Sequence, residues 1–339
     1  MYIIESIVLP IFFKLKDQIN ISSTKKSDKK NIVLLGQSWF AKGFMEHIDK
    51  SKFSITNIYR TEFVNTPMLL QNIKPISNLN KNCSSFTKLI DKIIKDEVIA
   101  IDLSNQIVKT SSVNISWKNG FLVCGLGSNT DIGNFWNNKI TELKEIKTPQ
   151  KICIVGAGPT GTELAFHLND LNHQITLYDG LPEVYNYLTP NGKKYLLEQL
   201  ELNNIKLFTN KMYSSNDKQL FDQVIFAIGS RPNDLTSNWN ISPQLNLIGY
   251  SNVFSGGDGN KNIGLPRNAQ VAYQQGKYIA LRLNSSLLDN TNDKFIFENK
   301  GIALYIGNGI YYVEIHLFEK IYSFNIPEKI MNIYYNFFK

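Results

Sequence analysis

The sequence predicts an α/β chain of two Rossmann-like units with a C-terminal amphipathic segment, and three observations predict it. Residues 151–180, KICIVGAGPTGTELAFHLNDLNHQITLYDG, hold a strand, a Gly156-x-Gly158-x-x-Gly161 turn, an apolar helix and a second strand ending in Asp179. Residues 31–59 repeat that order around Gly36, Ser38 and Ala41. The remainder alternates short apolar strands with helical patterns, as expected of a sheet covered by helices.

In the 151–180 unit the spacing has a mechanical logic. The first glycine makes a tight turn, the second lets a pyrophosphate approach the backbone, and the third lets helix lie close on strand. Phosphates would then rest on the helix N-terminus, so Gly156, Gly158, Thr160 and Gly161 form the expected cradle. Asp179 stands about 20 residues on, where a carboxylate takes the adenosine ribose hydroxyls. An acid there repels a 2′-phosphate, so NADH is expected over NADPH. A glycine-rich turn is the competing reading, and strand, helix and acid in register argue against it.

The earlier unit departs from this pattern. A buried-strand candidate at 31–35 leads into Gly36-Gln37-Ser38-Trp39-Phe40-Ala41, with a helix expected over 41–48. Ser38 stands at the second glycine position and crowds the closest approach of a pyrophosphate. The strand at 54–59 ends without a carboxylate and is followed by Arg60, so ribose recognition here differs or is absent. Residues 63–70, FVNTPMLL, read as a loop that packs against something flat or buried. An amphipathic helix is expected over 83–95, with Phe86, Leu89, Ile90, Ile93 and Ile94 on one face. A strand pair follows at 97–102 and 106–110, then a strand at 120–124 ending in Gly125-x-Gly127. Beyond the second unit we expect a helix at 194–202, strands at 206–209 and 222–228, the latter closing on Gly229, a strand at 252–254 leading to Asp258, and a long helix at 269–283.

Composition narrows the classes. The formal charge of +7 comes from scattered lysines among abundant Asn and Ile, which fits compositional bias as well as an anionic partner. No interleaving of basic and aromatic residues appears, so a nucleic-acid partner is not expected. Cys83, Cys124 and Cys153 offer no C-x-x-C pair, zinc spacing or disulfide framework, which points to a reducing compartment. Four histidines at unrelated positions give no metal site. The N-terminal YIIESIVLPIFF is broken by Glu5 and Pro10 and is too short to span a bilayer; a targeting segment or peripheral anchor and a disordered or packed extension both stand. The Lys-rich tract at 22–30 reads as a linker.

Taken together, GQSWFAKGF with HIDKSKF, TPMLL, IVGAGPTGTELAFHL, FAIGSRP, VFSGGDG and GLPRNAQVAYQQGKYIA resemble the flavoproteins with two dinucleotide-binding domains and a glutathione-reductase-like fold. Among these the chain looks most like the type II (alternative) NADH:quinone oxidoreductases, over about residues 31–310. The resemblance implies an N-terminal extension at 1–30, a discontinuous FAD-binding domain at 31–146 and 241–300, an NADH-binding domain at 147–240 and a membrane-docking segment at 301–339. It implies FAD along Gly36, Ser38, Trp39 and Ala41, with Thr66 and Pro67 near the isoalloxazine and Asp258 on the ribityl chain or phosphates. Ala269 and Gln270 would open a helix directed at the flavin pyrimidine, and Gly229 joins the cofactor-binding set. Glu163 would stand near the nicotinamide, and Gln274 and Gln275 would border the quinone.

The implied activity is an NADH dehydrogenase passing a hydride to FAD and two electrons to a membrane quinone without proton pumping. The implied location is peripheral, on the inner mitochondrial membrane or a bacterial cytoplasmic face, and a homodimer is compatible with it. Two departures keep other readings open: Ser38 and Phe40 replace small residues, and the connections at 70–74 and 134–147 are short. A catalytically silent NADH-binding protein and a soluble flavoprotein reductase with another acceptor are the alternatives. The missing C-x-x-C argues against a disulfide reductase of the same fold.

Residues 317–339 carry Phe318, Ile321, Tyr322, Phe324, Ile326, Ile330, Met331, Ile333, Tyr334, Phe337 and Phe338, interrupted by Pro327 and by lysines at 320, 329 and 339. An interfacial segment at headgroup depth and a packing or dimerisation helix both fit this pattern.

Overall fold

Short apolar runs with no polar face, such as KNIVLL and KICIV, bury both sides and so form central strands of parallel sheets. The computed structural model describes residues 29–60, 89–129, 143, 146, 148–260, 264–285, 293–317 and 319–331. The chain begins with β1 (Lys30–Leu35), α1 (Trp39–Met45), β2 (Phe53–Tyr59) and β3 (Lys92–Lys95). Next come β4 (Val98–Asp102), β5 (Ile107–Thr110), β6 (Asn114–Ser116), β7 (Phe121–Cys124) and β8 (Ser128–Asn129). The second unit comprises β9 (Lys151–Val155), α2 (Pro159–Asn169), β10 (Gln174–Tyr178), α3 (Pro190–Leu202), β11 (Lys206–Phe208), β12 (Gln223–Phe226) and β13 (Arg231–Pro232). The chain returns through β14 (Val253–Ser255) and α4 (Ala269–Ser285), then β15 (Gly301–Tyr305), β16 (Ile310–Leu317) and β17 (Lys320–Pro327).

Two parallel sheets carry the architecture. The first has the order β14-β7-β1-β2-β3, and the second β11-β10-β9-β12. In each, the order reverses at the strand that feeds a glycine turn: β1 lies between β2 and β7, and β9 between β10 and β12. Open α/β sheets leave a crevice at the carboxyl end of such a strand. Because β14 arrives from residue 253, the first sheet is completed only after the chain has built the second.

Helices α1 and α4 cover one face of the first sheet, with Phe40, Phe44, Ile279 and Leu283 in the shared core. They cross at two glycines. A β-carbon at Gly43 would fall 2.1 Å from the Tyr273 carbonyl oxygen, and one at Gly276 would fall 2.0 Å from that of Phe40. The other face packs Trp117, Trp239 and the small antiparallel sheet β4-β5-β6. In the second unit α2 and α3 enclose a core that also takes Leu304, Tyr305 and Tyr312 from the C-terminal sheet β15-β16-β17.

One expectation is corrected and an open one is resolved in part. Within the expected helix at 83–95, residues 92–95 are strand β3, paired in parallel with β2 from Thr56↔Lys92 to Tyr59↔Lys95. The edge of β2 offers a row of backbone groups that a strand satisfies, and this nonlocal demand outweighs local helical spacing. Residues 89–91 are turn and bend, and 83–88 lie outside the described residues, as does the TPMLL segment with Thr66 and Pro67. At the C-terminus, where the sequence leaves an interfacial segment and a packing helix both open, residues 320–327 form an antiparallel edge strand on β16. Helix α3 starts earlier than expected, at Pro190, because Thr189 caps it by accepting from the Gly192 N–H at 3.0 Å.

Phe40 is fully buried, and its ring fills the space beside two glycines that end neighbouring strands. A β-carbon at Gly125 or Gly256 would lie 2.3 or 2.4 Å from that ring. Phe40→Ala should therefore cost about 3–5 kcal/mol in urea unfolding, and Gly256→Ala about 1–3 kcal/mol by overpacking. In the Phe40→Ala background the cost of Gly256→Ala should shrink, and additive costs would show that the ring is not what the new methyl meets.

Candidate functional site

The second unit is built as its spacing requires. Gly156 has φ +106, and a β-carbon there would lie 2.4 Å from the Ala227 carbonyl oxygen. A β-carbon at Gly161 would lie 1.9 Å from the Gly156 carbonyl oxygen, so only glycine lets α2 rest this close to the turn. At Gly158 a β-carbon would meet nothing within 4 Å, so this glycine borders open space where the other two are packed. Gly158 is the N-cap of α2 without a side-chain bond, and Pro159 follows it, so no side chain of the cap competes for the first-turn amides. Thr160 is half-buried in that turn.

Asp179 closes the cradle. Its Oδ2 accepts from the Ala157 N–H at 2.8 Å and its Oδ1 from the Leu181 N–H at 2.9 Å. The carboxylate is thus held against the glycine turn, and each oxygen keeps a lone pair for a ribose hydroxyl.

In the first unit, Gly36 has φ +87 and packs against the next loop, where a β-carbon would fall 2.2 Å from the Gly125 carbonyl oxygen. The Ser38 hydroxyl donates to that same carbonyl at 3.4 Å, and Trp39 is half-buried. Ala41 is fully buried in the core with Phe40. The Phe40 ring is buried between the ends of β7 and β14, against Gly125 and Gly256. Asn57 ties the turn to β2 by donating to the Leu34 and Gly36 carbonyls at 3.0 and 2.9 Å. No acid ends β2, and Arg60 pairs with Glu97 at 2.9 Å.

A small cavity at the start of α4 is lined by Asp258, Asn260, Arg267 and Gln275 among apolar residues such as Leu245 and Val271. Burial pushes the Asp258 carboxyl up from its usual range, and the nearby Arg267 guanidinium opposes that shift. Arg267 donates to the Ser230 carbonyl, while its buried Nε has no partner. A carboxyl and an unserved cationic donor around one cavity fit a ligand rich in hydroxyls and phosphate oxygens. Asp258 and Arg267 thus suit the hydroxyls and phosphate oxygens of a flavin dinucleotide.

The carboxyl edges of the two sheets meet at Gly259. The Asn233 N–H and the Thr236 hydroxyl donate to its carbonyl at 3.2 and 2.7 Å, and Gly229 stands at the end of β12 with open space beside it. The remaining expected residues lie on helix faces. Gln275 is buried, and its Oε1 accepts from the Gly257 N–H at 2.6 Å. Gln270 and Gln274, on the outer face of α4 that Ala269 opens, engage the backbone of residues 298–301.

Glu163 is buried on α2, where its Oε1 accepts from the Tyr305 N–H at 3.0 Å and its Oε2 has no partner. Burial pushes its carboxyl up to about 8, against the smaller opposing effect of that hydrogen bond. Three contributors were not singled out from the sequence: Arg267, Tyr305 and Glu314. Glu314 takes the Thr189 N–H at 3.1 Å, the Thr189 hydroxyl at 2.6 Å and the Tyr312 hydroxyl at 2.7 Å, placing an acid at the N-terminus of α3. A lone acid inside the apolar run IYYVEIHL was the signal available for it. Among the described residues no group of three or more potential metal ligands occurs.

Asp179→Ala removes an ionised acceptor from two backbone donors, so NADH should bind roughly ten- to a hundredfold more weakly in a fluorescence titration, at about 1.5–3 kcal/mol for a charged hydrogen bond. An unchanged affinity would separate this acid from the nucleotide. For Glu163 the folded-state value is raised above 4.5, so the folded chain holds a proton that the unfolded chain releases. Its contribution to stability is whole below pH 4.5 and is lost as pH rises towards about 8. Glu163→Gln should flatten that fall in thermal melts across the window, and parallel pH profiles would contradict the assignment.

Residues 29–276 match the model of the pyridine nucleotide-disulphide oxidoreductase family. The external NADH-ubiquinone oxidoreductase 2 of Saccharomyces cerevisiae mitochondria is 22% identical, over 87% of this chain and 74% of its own length. A probable mitochondrial NADH-ubiquinone oxidoreductase of Schizosaccharomyces pombe is 25% identical, over 81% of this chain and 66% of its own length, so the chain spans just under two thirds of that relative. NDH2 of Plasmodium falciparum, solved in complex with NADH, superposes with a TM-score of 0.70 over 91% of this chain and 94% of that one, at 16% identity. The match covers both glycine turns and the strand that completes the first sheet, and the chain belongs to the pyridine nucleotide-disulphide oxidoreductase family.

Proposed function

We propose that the protein is an FAD-dependent NADH dehydrogenase that passes electrons to a quinone at a membrane surface. The observation that carries this reading is the meeting of the two sheets' carboxyl edges at Gly259, which brings two dinucleotide crevices together in one chain. The relatives named as mitochondrial NADH-ubiquinone oxidoreductases support the same donor and acceptor. A bound flavin would supply the capacity to accept a hydride and release two electrons, which no side chain provides.

The residues of this chain bind and orient. Helix α2 receives the NADH phosphates, and Asp179 selects NADH by taking ribose hydroxyls and repelling a 2′-phosphate. Asp258 and Arg267 face the flavin cavity as acceptor and donor. The amino end of α4, at Ala269, favours negative charge on a ring bound there. A peripheral mitochondrial location is supported by the names of the relatives and by edge strand β17, where Ile321 and Tyr322 are about half exposed beside Lys320. No helix among the described residues is long and apolar enough to cross a membrane.

The test is flavin content of protein purified without added FAD, followed by NADH-dependent reduction of a short-chain ubiquinone. Stoichiometric flavin and turnover with NADH in preference to NADPH are expected. A colourless protein that stays inactive after incubation with FAD would overturn the reading.

A further inference from the structure

We infer that β15 is a strut that fixes the spacing of the two nucleotide sites, and that Gln270 and Gln274 are positioning residues that hold one end of it. The inference rests on the NADH–flavin reading above. Gln270 and Gln274 stand four residues apart on α4 and so project from one face. Gln270 Nε2 donates to the Gly301 carbonyl at 2.7 Å, and its Oε1 accepts from the Lys300 N–H at 3.1 Å. Gln274 Nε2 donates to the Glu298 carbonyl at 2.9 Å, and its Oε1 accepts from the Glu298 N–H at 3.0 Å. Residues 298–301 are therefore clasped along the helix by two amides, each both donating and accepting.

The strand begins where the clasp ends. Gly301 has φ +117, and a β-carbon there would strike the Glu314 carbonyl oxygen at 1.9 Å, so only glycine enters the sheet at this point. Four residues on, the Tyr305 N–H donates to Glu163, its hydroxyl donates to Asp170, and its ring stacks on His167 at 3.8 Å between centroids. All three of those partners lie on α2 or at its C-cap. One strand, about 14 Å long at 3.4 Å per residue, thus joins the helix beside the flavin cavity to the helix that receives NADH.

The described links between the sheet edges, namely the Gly259 cluster, the β8–β13 pair and the Arg267 bond to the Ser230 carbonyl, all gather at residues 230–236. β15 adds an attachment between α4 and α2 that uses none of those residues. Hydride transfer needs its atoms about 3–3.5 Å apart, and a 1 Å misplacement can cost roughly a hundredfold. The resemblance sets Gln274 beside a quinone instead, and the two roles differ in which half of the catalytic cycle they govern.

The full chain loaded with FAD, carrying Gln270→Ala and Gln274→Ala together, tests this by anaerobic stopped flow. Bleaching of the oxidised-flavin band by NADH and its recovery with a short-chain ubiquinone are followed separately. Flavin content and NADH affinity should match the unaltered protein, bleaching should slow roughly ten- to a hundredfold, and recovery should be unchanged. Bleaching at the original rate overturns the strut, and slowed recovery alone assigns the glutamines to the quinone. In flavin-free protein, the Glu298 and Lys300 amides should exchange with solvent faster in the double variant. If the double variant loses flavin, methionine at each position singly keeps the volume without the amide. The same split is then expected at several-fold size, and unaltered bleaching in both overturns the proposal. An unaltered protein that holds no flavin, or whose flavin NADH does not bleach, fails the functional reading itself and is seen before any variant is made.

Discussion

Strand β9 is hydrogen-bonded to β10 on one edge and β12 on the other, and β1 stands in the same way between β2 and β7. This pairing decides where everything else can be. The chain leaves each central strand into a gap between connections that run off in opposite directions, so a turn there meets open space on one side and packed backbone on the other. Gly156 and Gly36 take that turn, and each has its next neighbour's carbonyl where a side chain would begin. Asp179 reaches the turn only because β10 is the adjacent strand and ends beside it.

How much of this was legible depended on how far along the chain each partner lies. The Gly156 unit reads directly because turn, helix and acid fall within thirty residues, and the contact of Asp179 with the turn is internal to them. Lys92–Lys95 did not read correctly: its isoleucines suit a helix locally, and only the free edge of β2, more than thirty residues earlier, makes it a strand. The glutamines of α4 read as polar residues on a helix, and their partners at 298–301 could not be inferred from spacing. The inward turn of Phe40 was equally hidden, since the glycines that admit it follow β7 and β14. The acid of β16 was different, because Glu314 was conspicuous in its apolar run and no reading used it.

Two buried carboxylates hold the C-terminal sheet to the second unit by different means. Glu314 gathers donors from Thr189 and Tyr312 at the start of α3, so its burial is matched by hydrogen bonds. Glu163 has one backbone donor and one unserved oxygen, and it responds by keeping a proton. The same interface thus contains one acid fully served by its neighbours and one that is not, and the less satisfied of the two lies on the helix that begins at the glycine turn.

The seating of Phe40 also constrains how such a chain can have changed over generations. Side chains at positions 125 and 256 leave no room for the ring, so the aromatic residue can be seated only beside two glycines. With the ring in place, neither glycine can gain a side chain without a clash. The three positions are therefore linked, and descendants of this chain are expected to keep all three residues together or to lose the aromatic one first.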